Sequence, residues 1–134
     1  MSKTVIIIKP DGVKRKLVGE ILSRFEKRNI TISKLHQTTL DPNLVKRHYR
    51  HLVDKPFYPE IESYMTSGPV IIAVLESPNV VEMVRKMIGS TNPMAAQPGT
   101  IRFDYAQSTD ANIIHASDSD ESAAIEINRF FNQP

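Results

Sequence analysis

An α/β sandwich, a four-stranded antiparallel sheet with helices packed on it, is the fold class this sequence predicts. Three observations lead there. Val5 to Ile8 and Val70 to Leu75 are apolar runs of strand length ended by turn residues. Three other stretches, from Val18, from Val80 and from Ala123, repeat their apolar residues at helical spacing. Strand-like and helix-like segments also alternate along the chain, as they do where helices cover a sheet.

The first strand is β-branched from Thr4 to Ile8 and stops at Lys9-Pro10-Asp11-Gly12, where Pro and Gly start a turn. Val18, Ile21, Leu22 and Phe25 form the apolar stripe of the next helix, with Glu20, Arg24, Lys27 and Arg28 opposite. Ile30 and Ile32 alternate with Thr31 and Ser33, giving a half-exposed strand that continues towards Leu40. Asp41-Pro42 is a helix start, because the Asp side chain caps free amides and Pro suits the first turn. That segment runs through Leu44, Val45, His48, Tyr49 and Leu52.

Pro56 and Pro59 break the chain before a short helix carrying Ile61, Tyr64 and Met65, which Ser67-Gly68-Pro69 ends. The strand from Val70 to Leu75 follows. Val80, Val81, Val84, Met87 and Ile88 then make a helix closed by Gly89. Residues 89–99 hold two Gly and two Pro, a loop of the length that often carries function. Ile113-Ile114 is a short strand, and Asp118 with Glu121 is expected to cap a closing helix through Ala123, Ala124, Ile127, Phe130 and Phe131. This order fits a ferredoxin-like sandwich with helices on one face of the sheet, a fold that by itself decides no function.

Length and composition bound the classes. At 134 residues, 40% apolar and 24% charged, the chain reads as one globular domain, 1–134, with neither repeat nor linker. A net charge of +2 with a pI near 8.9 implies no broad field for nucleic acid or membrane, so any anion site is local. No apolar run approaches the roughly 20 residues of a membrane span. Met1-Ser2-Lys3 leads directly into strand-like sequence and no cysteine is present, so the expectation is a cytoplasmic protein without a signal peptide.

The chemistry concentrates around His115. It follows an apolar strand and precedes Ser117, Asp118 and a helix start, a setting near free helix amides that favours anions. A neutral imidazole is a nucleophile at physiological pH and can accept a phosphoryl group and hand it on. Lys9, at the end of the first strand, can neutralise phosphate oxygens, although the spacing of a Walker loop is absent. Arg85, Thr91 and Arg102 frame the long loop, and guanidinium forks suit phosphate. Tyr49 and Phe57 offer rings for stacking on a base. Taken singly, each also fits a bland role: a core ring, a surface salt bridge, a solvated lysine, a histidine bonded to a helix start. His36, His48 and His51 read as surface residues, and no metal site is expected.

Five blocks together are more specific. Ile8-Lys9-Pro10-Asp11-Gly12, Tyr64-Met65-Thr66-Ser67-Gly68-Pro69-Val70, Gly89-Ser90-Thr91-Asn92-Pro93, Pro98-Gly99-Thr100-Ile101-Arg102 and Asn112-Ile113-Ile114-His115-Ala116-Ser117-Asp118-Ser119 occur in that order over essentially the whole chain. In this the sequence resembles nucleoside diphosphate kinases. The resemblance implies reversible, ping-pong transfer of the terminal phosphate of a nucleoside triphosphate to a nucleoside diphosphate through a phosphohistidine on His115, maintaining nucleoside triphosphate pools. It assigns Lys9, Tyr49, Arg85, Thr91, Arg102 and Asn112 to the nucleotide's phosphates or sugar, Phe57 to its base, and Ser117 and Glu126 to orienting the imidazole. It implies magnesium carried on the nucleotide phosphates, and a homo-oligomer built from a common dimer, a hexamer in preference to a tetramer. The chain ends three residues past Phe131, so an extension used by longer relatives for subunit contacts is expected to be missing.

Two positions depart from the family pattern. Ala116 stands where glycine is common, which suits the chain only if φ is negative there. Phe103 follows Arg102 where a small residue is common. Two other classes predict different sequences: a binding module that had lost catalysis would lack His115 or Lys9, and an RNA-binding sandwich would show a basic, aromatic sheet face in place of Val5-Ile6-Ile7-Ile8 and Val70-Ile71-Ile72-Ala73-Val74.

Overall fold

The computed structural model describes residues 1–132, so the last two positions of the expected domain lie outside the described residues. Four strands, β1 (Ser2–Ile8), β2 (Thr31–Thr38), β3 (Val70–Ser77) and β4 (Ile114–Ala116), form one sheet in the order β2-β3-β1-β4 with every neighbour antiparallel. β1 lies at its centre, with Ile7 paired to Ile72 on one side and to His115 on the other. The helices are α1 (Pro10–Lys14), α2 (Val18–Lys27), α3 (Pro42–His48), α4 (Tyr58–Met65), α5 (Val80–Ile88), α6 (Ile101–Tyr105) and α7 (Asp120–Ile127). α7 runs on into a wider turn over Asn128–Asn132.

The sheet and the longer helices are as the sequence predicts, but both faces of the sheet are covered. Ile6, Ile8, Ile71, Ala73 and Leu75 pack with Ile21 and Phe25 of α2 and Val80, Val84 and Ile88 of α5. The alternate residues Val5, Ile7, Val70, Ile72 and Val74 pack with Val45 of α3, Met65 of α4 and, at the margin, Ile127 and Phe130. Strands that are apolar without alternation bury both faces, which the continuous runs of β1 and β3 already imply. Each such isoleucine contributes roughly 1.5–3 kcal/mol by leaving water.

β2 is an edge strand, exposed along most of its length and irregular between Ile32 and Lys34. Asp41 caps α3 as expected, its carboxylate accepting the Leu44 amide at 2.9 Å. Two short helices escape the sequence reading: α1, where a turn was expected, and α6, capped by the Thr100 hydroxyl. The expected Asp118 cap is corrected. Ser119 caps α7, accepting the Ser122 amide at 3.0 Å, while Asp118 accepts the Ser122 hydroxyl at 2.6 Å. Among the described residues no helix is long and apolar enough to cross a membrane.

Candidate active site

Because β1 pairs with β4, the end of one and the beginning of the other bring Lys9 and residues 112–116 together. Lys9 is the extended residue before α1, with Pro10 opening the helix, and its amide donates to the Ile113 carbonyl at 2.7 Å. Gly12 allows this approach, since a Cβ there would stand 2.8 Å from Ile8 Cγ2 and 3.3 Å from the Ile113 carbonyl oxygen. Ile113, fully buried, sits at φ +76° in a three-residue turn closed by the Ile114 amide on the Asn112 carbonyl at 2.8 Å. That turn reverses the chain between Asn112 and the strand that carries His115. Asn112 is buried; its Oδ1 accepts Lys9 Nζ at 2.8 Å and its Nδ2 donates to the Thr91 carbonyl at 3.3 Å.

His115 is half-buried in the middle of β4, on the sheet face that α3, α4 and α7 cover. Its Nε2 lies 2.8 Å from Glu126 Oε1, and the same oxygen accepts the Ser117 hydroxyl at 2.9 Å. Ser117 is fully buried and in turn accepts the Val5 amide at 3.2 Å, so the carboxylate is anchored to the central strand. An ionised carboxylate only accepts. In the neutral ring Nε2 is therefore the nitrogen that carries the proton, and Nδ1 keeps its lone pair.

Cations surround this ring. Arg102, of which 6% is exposed, is held by two carbonyls, Nη1 to Gly89 at 3.0 Å and Nη2 to Ile114 at 2.6 Å. Among the described residues its Nε has no partner. Gly89 is constrained here: its φ is +87°, and a Cβ would stand 2.5 Å from Thr100 Oγ1. Arg85 reaches from α5 to the Ala116 carbonyl at 3.4 Å. Burial, then the Arg102 charge, push Lys9 down to about 8, against the pull of Asp11. Burial, then Arg85, lower Arg102 to about 10. Burial, then Glu126, raise the Tyr49 phenol to about 12, so it stays a neutral donor. Buried cations that depress one another are poised for an anion.

These groups line a cavity of about 630 Å³ that includes Lys9, Tyr49, Arg85, Thr91, Arg102, Asn112, His115 and Glu126. A second cavity, about 600 Å³, shares Lys9, Tyr49, Thr91 and Asn112 with it and extends to Phe57, whose ring is 48% exposed. The structure thus brings every sequence-predicted site residue to these two connected spaces, with Ser117 directly behind. A larger cavity of about 740 Å³ touches the site only at Arg85 and Asp118 and contains neither His115 nor Lys9.

The departures from the family pattern are accommodated. Ala116 is a strand residue paired with Ile6 and is not among the residues of positive φ. Phe103 is 45% exposed, on the outer side of α6.

Sequence reasoning missed three residues. His48, expected on the surface, is half-buried; its ring stands edge-on to His115, centroids 4.6 Å apart at 85°. Burial, then the neighbouring His115 ring and Arg129, lower it to about 2, so it is neutral. Arg129 donates to His48 Nδ1 at 3.0 Å, a contact across 81 residues that no spacing announces. Asp11 accepts the Tyr64 hydroxyl at the rim of the second cavity. His48, His115 and Glu126 offer ligand atoms within 4.8 Å of one another. Arg129 occupies one His48 nitrogen, however, and Lys9, Arg85 and Arg102 make the field one for anions.

Comparison with known proteins gives a uniform result. The family model described as nucleoside diphosphate kinase matches residues 2–134. A nucleoside diphosphate kinase of Acetivibrio thermocellus is 55% identical over 131 residues, covering 98% of this chain and 96% of its own. One of Streptococcus agalactiae is 50% identical over 137 residues, covering 98% of this chain and 99% of its own. The crystal structure of a nucleoside diphosphate kinase from Encephalitozoon cuniculi superposes with a TM-score of 0.95 at 41% identity, covering 100% of this chain and 93% of that one.

Proposed function

The chain belongs to the nucleoside diphosphate kinase family, an enzyme that moves phosphate between nucleoside triphosphates and diphosphates, and from that premise we propose that it works by a two-step, ping-pong exchange on His115. The observation that carries this reading is the Nε2 hydrogen bond to Glu126, backed by Ser117, which leaves His115 Nδ1 unprotonated inside a ring of cations.

In the first step the Nδ1 lone pair attacks the terminal phosphorus. An N–P bond forms, the bridging P–O bond breaks, and the nucleoside diphosphate leaves with the bonding electrons. The imidazole becomes positively charged as it takes the phosphoryl group, and the Glu126 carboxylate at 2.8 Å stabilises that charge. Lys9, Arg85 and Arg102 neutralise phosphate oxygens along the path. The Tyr49 phenol, Thr91 and Asn112 hold phosphate or sugar, and Asn112 also fixes Lys9. Phe57 stacks on the base, which accounts for tolerance of different bases, since each has a π face. The second step reverses the first with another nucleoside diphosphate.

Magnesium fits as a passenger of the nucleotide. The carboxylates lining the cavity are engaged, Glu126 by His115 and Ser117 and Asp118 by Ser122, so the metal would be held by phosphate oxygens and water and would supply charge neutralisation there. We further propose one domain over 1–134, a cytoplasmic setting, and a homo-oligomer, hexameric in preference to tetrameric. The exposed edge strand β2, with Leu35 56% exposed, supports self-association, and analytical ultracentrifugation gives the subunit number.

The test of the mechanism is incubation with a γ-labelled nucleoside triphosphate and magnesium, quenched in alkali. Acid-labile label on His115 that passes to an added diphosphate is expected. Label persisting on a His115→Asn variant would falsify the nucleophile.

A further inference from the structure

Beyond the nucleotide site, the end of α3 and the closing turn enclose a small cavity of about 180 Å³ lined by Arg47, Arg50, Ile125, Asn128 and Arg129. Three guanidiniums thus face one space. Among the described residues none of them forms an ion pair. The nearest candidate to balance them, Glu126, is already committed through Oε1 to both His115 and Ser117. Arg129 is half-buried; burial lowers its affinity for its proton, as does the Arg47 charge, against the pull of Glu126.

Like charges repel, less for the exposed Arg47 and Arg50 than for the half-buried Arg129, and an oxyanion among them relieves that repulsion. Arg47 and Arg50, three residues apart on consecutive helical turns, lie on one side of the chain. Their forked donors, with the Asn128 amide, match the geometry of a tetrahedral oxyanion. Arg129 is also a wall of the His115 cavity, and it donates to His48 Nδ1 while His48 stands edge-on to His115.

We propose that the Arg47–Arg50–Arg129 cavity is a second site for a phosphate-class oxyanion, and that its occupant acts on His115 by drawing Arg129 away from His48. An anion that takes the Nη1 donor of Arg129 competes for it with His48 Nδ1. Once that bond is lost, His48 is free to turn, and the packing that holds the His115 ring against Glu126 loosens. His48 and Arg129 are positioning residues in this scheme, since neither takes part in phosphoryl transfer. The coupling to His115 rests on the ping-pong reading; the binding site itself does not.

The probe is inorganic phosphate with excess magnesium, and the control is the Arg47→Gln/Arg50→Gln double variant, which leaves the transfer machinery intact. With the nucleotide site filled by a nucleoside diphosphate, calorimetry is expected to show phosphate binding that weakens about tenfold or more in the double variant, as loss of charge-assisted bonds requires. At saturating nucleoside triphosphate, phosphate is expected to lower the maximal single-turnover rate of His115 labelling in the wild type and to leave it unchanged in the double variant. The 15N resonance of His48 Nδ1 should move with the same titration. Equal binding by both proteins, or an effect of phosphate on KM alone, overturns the proposal while the phosphohistidine stands. Absence of any phosphohistidine overturns the coupling together with the mechanism it rests on, and the calorimetry then decides the site.

Discussion

Replacing Glu126 by glutamine isolates the charge behind the proposed nucleophile. Glutamine is close to glutamate in shape, and its carbonyl oxygen can occupy the position from which Oε1 accepts His115 Nε2 at 2.8 Å and Ser117 Oγ at 2.9 Å. What disappears is the negative charge opposite a ring that becomes cationic. A hydrogen bond to a charged group contributes about 1.5–3 kcal/mol and a neutral one about 1 kcal/mol, so the loss is about 0.5–2 kcal/mol, or about two- to thirtyfold in rate. The assay is single-turnover labelling of His115 over a range of triphosphate concentrations. Glu126 makes no proposed contact with nucleotide, so the maximal rate should fall while the half-saturating concentration holds. A Glu126→Gln protein that labels at the wild-type rate, or that differs only in half-saturation, would show that the carboxylate does not act through the imidazole.

Lys9 has a pKa lowered to about 8 in the free protein, so its phosphate-attracting charge is lost as pH rises through about 8, well below the ordinary lysine range; kcat/KM for the triphosphate should bend down there. Asp11 pulls that pKa up, so Asp11→Asn should move the bend to lower pH, and a profile flat to pH 10 would remove Lys9 from phosphate binding. Phe57→Ala deletes a half-exposed ring that walls the second cavity; stacking of this kind contributes about 1–3 kcal/mol, so KM should rise by about fivefold or more for every base alike. A fall in kcat with KM intact would contradict the stacking role.

The sequence exposed what is local or continuous. β1 and β3 are unbroken apolar runs, α2 and α5 have clean stripes, and Asp41-Pro42 marks the start of α3. The five-residue helices α1 and α6 are too short for periodicity to register. At α7 two neighbouring residues can both cap, and both turn to Ser122, Ser119 taking its amide and Asp118 its hydroxyl. The candidate site residues stand out because their blocks have a familiar order; nothing in spacing alone joins Lys9 to Asn112. His48 shows the limit of that approach. At the end of a helix rich in basic residues it looks solvated, yet the chain returns at Phe130 and Arg129 to cover it. Burial supplied from 81 residues away leaves no mark on the local pattern.

Position 113 carries a lesson for anyone redesigning this scaffold. A branched residue held at φ +76° bears a backbone cost of roughly 1–2 kcal/mol, and rules based on local conformation would assign glycine or asparagine there. Truncating a fully buried isoleucine costs roughly 2–5 kcal/mol, so the substitution that relaxes the turn empties the interior beneath it by more than it gains. A stabilisation screen should therefore reject glycine at this position even though the strain is real. The kink between the asparagine that fixes Lys9 and the strand bearing His115 is held from inside the core, and improvement there has to begin with the core side chains clustered with Ile113, such as Ile8, because Gly12 has no room for a Cβ.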